Sequence, residues 1–132
     1  MPNHFKYRVY DAARELSRVV HESIEALDVH RVPGLRGQLL ASVASIAANI
    51  AEGAGAGSNA KLLSHLNVAM GSSHETRTHL SRAKVEGQLP LPLYFRCDNK
   101  AAVVETMLAA LIRAIQENDA RRTNATIKSR RP

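Results

Sequence analysis

Between Leu39 and Ile50 the large apolar residues recur at steps of three and four: Leu39, Val43, Ile46 and Ile50. Almost everything around them is small: Ala41, Ser42, Ala44, Ser45, Ala47, Ala48 and Ala51. The spacing lines one side of an α-helix with a narrow apolar stripe, and the small flanks let another helix come close. The segment predicts a helix over about Leu35–Glu52. Gly53-Ala54-Gly55-Ala56-Gly57 then ends it, with Gly53 a natural left-handed C-cap.

Three more segments share this period. The first runs from about Tyr7 to Val29, with Val9, Ala13, Leu16, Val20, Ile24 and Leu27 on one face and Arg14, Arg18 and Glu22 off it. Pro33-Gly34 marks the turn that follows. The third runs from about Asn59 to Val85, capped by Ser58 or Asn59. Its face of Leu62, Leu66, Ala69, Ser73, Thr76, Leu80 and Ala83 is less apolar than the others. Pro90 and Pro92 predict an irregular linker over Gly87–Cys97, folded over one end of the bundle. The fourth helix is expected from Asp98 or Asn99 to near Asn118, with a broad apolar face of Val103, Val104, Met107, Leu108, Leu111, Ile112 and Ile115. Such breadth fits a helix packed in its own bundle and also against a neighbouring subunit. The fold class is all-α, an antiparallel up-down-up-down four-helix bundle.

The formal net charge of +6 is concentrated at one end. Residues 1–119 carry 13 Lys and Arg against 12 Asp and Glu, whereas Arg121, Arg122, Lys128, Arg130 and Arg131 stand in 120–132 without an acid. The expected organisation is a nearly neutral bundle domain over 1–119 and a basic, disordered tail over 120–132. No apolar run is long enough for a membrane span, the N-terminus has no signal-peptide core, and Cys97 is the only cysteine. These features predict a cytoplasmic protein with no membrane partner. Asn124-Ala125-Thr126 fits the glycosylation pattern, which has no meaning without secretion.

Two runs carry a family likeness: Ser45-Ile46-Ala47-Ala48-Asn49-Ile50-Ala51-Glu52-Gly53 and Ala69-Met70-Gly71-Ser72-Ser73-His74-Glu75. Their paired pattern of Ser45, Ile46, Asn49, Ile50, Ala51, Glu52 and Gly53 with Ala69, Gly71, Ser72 and Glu75 resembles that of the four-helix-bundle proteins encoded by intervening sequences in 23S rRNA genes. The likeness covers about Phe5–Asn118. It implies an antiparallel bundle assembled as a homopentameric ring, and, from the family's genetic setting, RNA as a partner. It implies no defined activity. The chain also departs from the family. Ala54, Gly55 and Ala56 stand where a basic residue is usual in the turn, Leu62 and His65 where aromatics are usual, and Ser73 where leucine is common. The third helix is therefore expected to pack more loosely or to contain a polar contact.

The remaining constellations point away from catalysis. Asn49 and Glu52 share a helix face; with Glu75 they are read as interhelical hydrogen-bonding groups, the alternative being a ligand or ion site. His74 and His79 are five apart, not the four that two zinc ligands on one helix require, and His79 can instead pair with Glu75. His21 with Glu25 is a similar surface pair. No Glu-x-x-His supports a di-iron centre. Arg96 beside Cys97 could lower the thiol pKa, but no base or resolving cysteine accompanies it. The glycine turn lacks the Lys-Ser/Thr of a phosphate loop. The expectation is no enzyme, no cofactor and no metal.

Arg121, Arg122, Lys128, Arg130 and Arg131 are the candidate partner contacts. Clustered cations bind phosphate by releasing counterions, and five tails on one ring multiply that attraction. No aromatic residue follows Phe95, so base stacking is not expected from the tail. The other reading of the tail is a solubility feature on a protein-interaction scaffold that binds no nucleic acid.

Overall fold

The computed structural model describes residues 3–28 and 30–130, without the side chains of residues 3–7 and 26. Four α-helices account for most of it: α1 (Asn3–Ser23), α2 (Leu35–Ala54), α3 (Asn59–Val85) and α4 (Leu91–Ser129). No strand occurs among the described residues. Each helix packs on the next and α4 closes on α1, so the α1–α4 seam lies on the opposite side of the bundle from the α2–α3 seam.

The expected stripe of α1 is buried as Val9, Ala13, Leu16, Val20, Ile24 and Leu27. The helix itself stops at Ser23, whose hydroxyl donates to Val19 O at 2.7 Å, and a 3-10 turn carries Ile24–Ala26. Gly34, at φ +81°, turns the chain into α2. Helix α3 starts as expected, with Ser58 Oγ accepting the Lys61 N–H at 3.2 Å. It ends in a Schellman motif: the Gln88 N–H donates to Ala83 O at 2.9 Å and the Gly87 N–H to Lys84 O at 3.0 Å, with Gly87 at φ +70°.

The sequence reading and the structure part company at three places. Helix α2 runs through Gly53 to Ala54, and Gly55 caps it. Gly53 is not among the positive-φ glycines. It is small because a Cβ there would sit 3.0 Å from His65 Cβ and 3.1 Å from Leu62 Cδ1, so α2 and α3 touch at this point. Second, the stretch expected as an irregular linker is helical from Leu91. Pro90 is the N-cap and Pro92 lies in the first turn, where a missing N–H costs no hydrogen bond. Asp98 is consequently inside the helix rather than at its cap. Third, α4 does not stop near Asn118 but continues to Ser129, through the residues expected to form a disordered tail.

The core is one cluster to which all four helices contribute, Leu16, Leu39, Ile46, Leu66, Leu80, Leu108 and Ile115 being fully enclosed. Each such side chain contributes about 1.5–3 kcal/mol. Helix α3 carries the polar contact expected as one outcome of its weak stripe. The enclosed Thr76 hydroxyl lies 2.8 Å from Ser72 O and 3.0 Å from Ser42 Oγ, and Ser73 Oγ donates to Glu105 at 3.3 Å.

Candidate functional site

The two sequence runs meet along the α2–α3 seam. The hydroxyls of Ser45 and Ser72, one from each run, hydrogen-bond at 2.8 Å. Asn49 Nδ2 donates to Ser45 O at 2.9 Å and to Ser45 Oγ at 3.1 Å. Its Oδ1 lies 3.3 Å from His65 Nδ1, and the same ring nitrogen is 3.6 Å from a Glu52 carboxylate oxygen. Ile46, Ile50 and Ala69 are buried core, and Gly53 makes the close contact at the helix end. The serine hydroxyls bond to each other and to Asn49 rather than to the imidazole, so no base is set against a nucleophile. Every buried side-chain nitrogen and oxygen among the described residues has a hydrogen-bond partner. This is a seam that fixes the register of two helices.

Three residues of the family pattern are not explained by this seam. Ala51, Gly71 and Glu75 are exposed. A Cβ on Gly71 would meet nothing within 4 Å. Glu75 lines an open groove with Gln38, Ser45, Val68, Ser72 and His79, and it forms no ion pair or hydrogen bond among the described residues, so the expected Glu75–His79 pair is not made. The expected His21–Glu25 pair is likewise absent among the described residues; His21 Nδ1 is 2.8 Å from Ser17 O.

A clasp that the sequence reading missed joins α3 to α4. Arg77 donates to both Asp98 oxygens, at 2.8 and 3.1 Å, and to Glu105 at 2.8 Å. These bonds, those to Asp98 first, push the guanidinium pKa further above its ordinary value. Asp98 and Glu105 are seven apart and hence share a face of α4. That signal was hidden while Asp98 was read as a cap.

Cys97 is fully buried, and its thiol lies 3.9 Å from Val19 O. Burial pushes the thiol pKa up, against the smaller lowering effects of the Ser23 hydrogen bond and Arg96. The thiol is therefore protonated and shielded at neutral pH, and Arg96 does not activate it. An aromatic disulfide reagent is expected to leave Cys97 unmodified in the native protein and to titrate one thiol per chain in denaturant. Rapid native labelling would contradict this placement. No group of three His, Cys, Asp or Glu among the described residues is arranged to hold a metal ion, and none of their helices is long and apolar enough to cross a membrane.

The basic residues sit on the far end of α4. Every residue from Ala120 to Arg130 is exposed, including Arg121, Arg122, Lys128 and Arg130, while Arg131 lies outside the described residues. Asn59 Nδ2 donates to Asp119 Oδ1 at 2.7 Å and ties the start of this stretch to the α2–α3 turn. Arg122 reaches over that turn, lining a pocket of about 300 Å³ with Gly53, Gly57, Ser58 and Asn59. A cation thus stands at the glycine turn although the turn itself has none.

No curated protein matches the chain. Among solved structures, it is similar to a protein of unknown function from the S23 ribosomal protein family of Bacteroides thetaiotaomicron, with a TM-score of 0.75 at 24% identity over 83% of this chain and 98% of that one. At that identity the likeness concerns the fold. Residues 6–110, which contain both runs and the whole α2–α3 seam, match the description of a single family. The chain belongs to the 23S rRNA-intervening sequence protein family.

Proposed function

We propose that this protein is a non-enzymatic, self-assembling helical bundle of the cytoplasm that associates with RNA through the basic ends of α4. The observation that carries the reading is the segregation of charge. The body is close to neutral, whereas Arg121, Arg122, Lys128 and Arg130 project past it with no acid between Ala120 and Arg130. Phosphate contacts of this kind are sequence-tolerant and weaken steeply with salt. Glutamine at all four positions keeps the length and removes the charge. The quadruple variant is expected to lose most of its affinity for a structured RNA at moderate salt in a filter-binding assay. Unchanged affinity would refute the role of these cations.

Short connections support an up-down-up-down, antiparallel course, and two faces support self-assembly. From Gly37 to Ala51, α2 carries no charge, and its exposed positions there are Gly37, Gln38, Ala41, Ala44, Ala48 and Ala51. On the opposite side, Val9, Met107, Ala110, Leu111 and Ala114, with Arg8 beside them, line a mainly apolar groove of about 190 Å³ between α1 and α4. Two unlike faces on opposite sides of one subunit can associate front to back, and such contacts form a ring when the rotation between subunits closes and an open filament when it does not. A homopentamer would then carry five basic ends, and multivalency would raise avidity for a long phosphate chain. The same faces favour a second reading, a protein-interaction scaffold. It predicts that a pull-down recovers one specific protein regardless of nuclease treatment, with negligible RNA affinity.

A further inference from the structure

Ile115 is the last buried residue of α4. The stretch 120–130 extends ~16 Å at 1.5 Å per residue; all of it is exposed, and Arg122 lines the pocket at the α2–α3 turn. Beside the good helix formers Ala120, Arg121, Arg122, Ala125 and Lys128, part of its composition works against a helix. Thr123, Asn124, Thr126 and Ser129 are weak helix formers. The hydroxyls of Thr123, Thr126 and Ser129 donate to the carbonyls of Asp119, Arg122 and Thr126 at 3.0, 3.0 and 2.9 Å, a back-bonding that slightly destabilises helices. The four cations have no acid among residues 120–130 to offset them. Only Lys128 and Arg130, in or beside the last turn, gain from the helix dipole.

At about 100° per residue, Arg121 and Lys128 share one side of the helix, Arg130 faces the opposite side and Arg122 lies between them, which leaves a sector of roughly 160° without a cation. A flat anionic surface would neutralise one side and leave the rest unpaired. Ile127, 49% exposed, is the only large apolar side chain after Ile115, too little for an interfacial membrane anchor. Phosphates on both walls of a nucleic-acid groove match a helix whose cations stand on two opposed sides. We infer that residues 120–130 form a helix completed by an RNA groove widened at a bulge or loop, the regular A-form major groove being too narrow for a helix; the segment is weakly held in the free protein and fully helical between two phosphate walls. The inference rests on the RNA reading above and adds how the contact is made.

If binding must order this helix, helix propensity alone should tune affinity with the charge unchanged. The triple variant Thr123→Ala/Asn124→Ala/Thr126→Ala should bind a labelled RNA hairpin about 3- to 10-fold more tightly, and Ala125→Gly about 5-fold more weakly. Circular dichroism at 222 nm should show the full chain gaining helix on adding the hairpin, and a chain ended at Asp119 gaining none. Parent-like affinity in both variants, or full hydrogen-exchange protection of residues 120–130 in the free protein, would overturn the inference while leaving an electrostatic RNA contact intact. Hairpin binding that does not require residues 120–130 at all would remove the RNA reading and the inference with it.

Discussion

On the self-assembly proposed above, Ala48→Arg is expected to yield monomers without unfolding the subunit. Ala48 lies exposed in the middle of the uncharged α2 face, so a long cation has room in the free subunit. Surface changes of this kind ordinarily shift stability by no more than about 0.5 kcal/mol. At a subunit contact the same arginine would be buried without a partner, a cost of several kcal/mol that a transient contact cannot offset. Light scattering after size exclusion reads the mass, and thermal unfolding shows whether the subunit survives. A front-to-back contact adds a sharper expectation. Ala48→Arg damages one face and Ala110→Arg, beside the α1–α4 groove, damages the other. Mixed, the two variants should form dimers, because each retains the face the other has lost. Unchanged mass for both single variants would contradict the assignment of these faces.

The two glycines of the paired runs should respond to substitution with opposite signs. At Gly53 an added Cβ would lie 3.0 Å from His65 Cβ, so Gly53→Leu drives α2 and α3 apart and should cost about 1–3 kcal/mol. At Gly71 the space is open, and an exposed glycine within α3 is a poorer helix former than alanine. Gly71→Ala should therefore stabilise the subunit by about 0.5–1 kcal/mol. Urea unfolding on the Ala48→Arg background separates these effects from assembly. Equal shifts of the same sign would mean that the contact at Gly53 is not as close as described. A glycine that lowers subunit stability with no contact inside the subunit also fits a neighbouring chain passing close to Gly71, next to Val68 and Glu75.

Much of this was legible in the sequence. The stripes of α1, α2 and α3 could be read because their buried residues recur at helical spacing between strong stop signals, Pro33-Gly34 and the glycine turn. The two runs are legible as a family pattern, whereas the contact of Ser45 with Ser72 across the seam is visible only in the structure. The errors arose where local preference and helical context disagree. Pro90 and Pro92 signal a break in a helix interior, but in the first turn proline loses no bond. The polar end of α4 looks disordered by composition, yet it extends a helix already nucleated by the packed residues before it, and adding a turn is far easier than starting one. Glycines near helix ends usually serve the backbone, which is what the position of Gly53 suggests; the reason for it lies in His65 and Leu62, twelve and nine residues away. The Arg77 clasp depends on where α4 begins, and it disappeared with that boundary.

Salt dependence of binding to a structured RNA, measured for the full chain and for a chain ended at Asp119, tests the central claim most directly. The account predicts that the full chain binds more tightly and that its log–log slope against salt is steeper by about 0.7–0.9 for each phosphate its extra cations neutralise. The truncated chain should retain little affinity at moderate salt. Equal affinity and equal slope for the two chains would contradict the account, and so would the absence of binding by either.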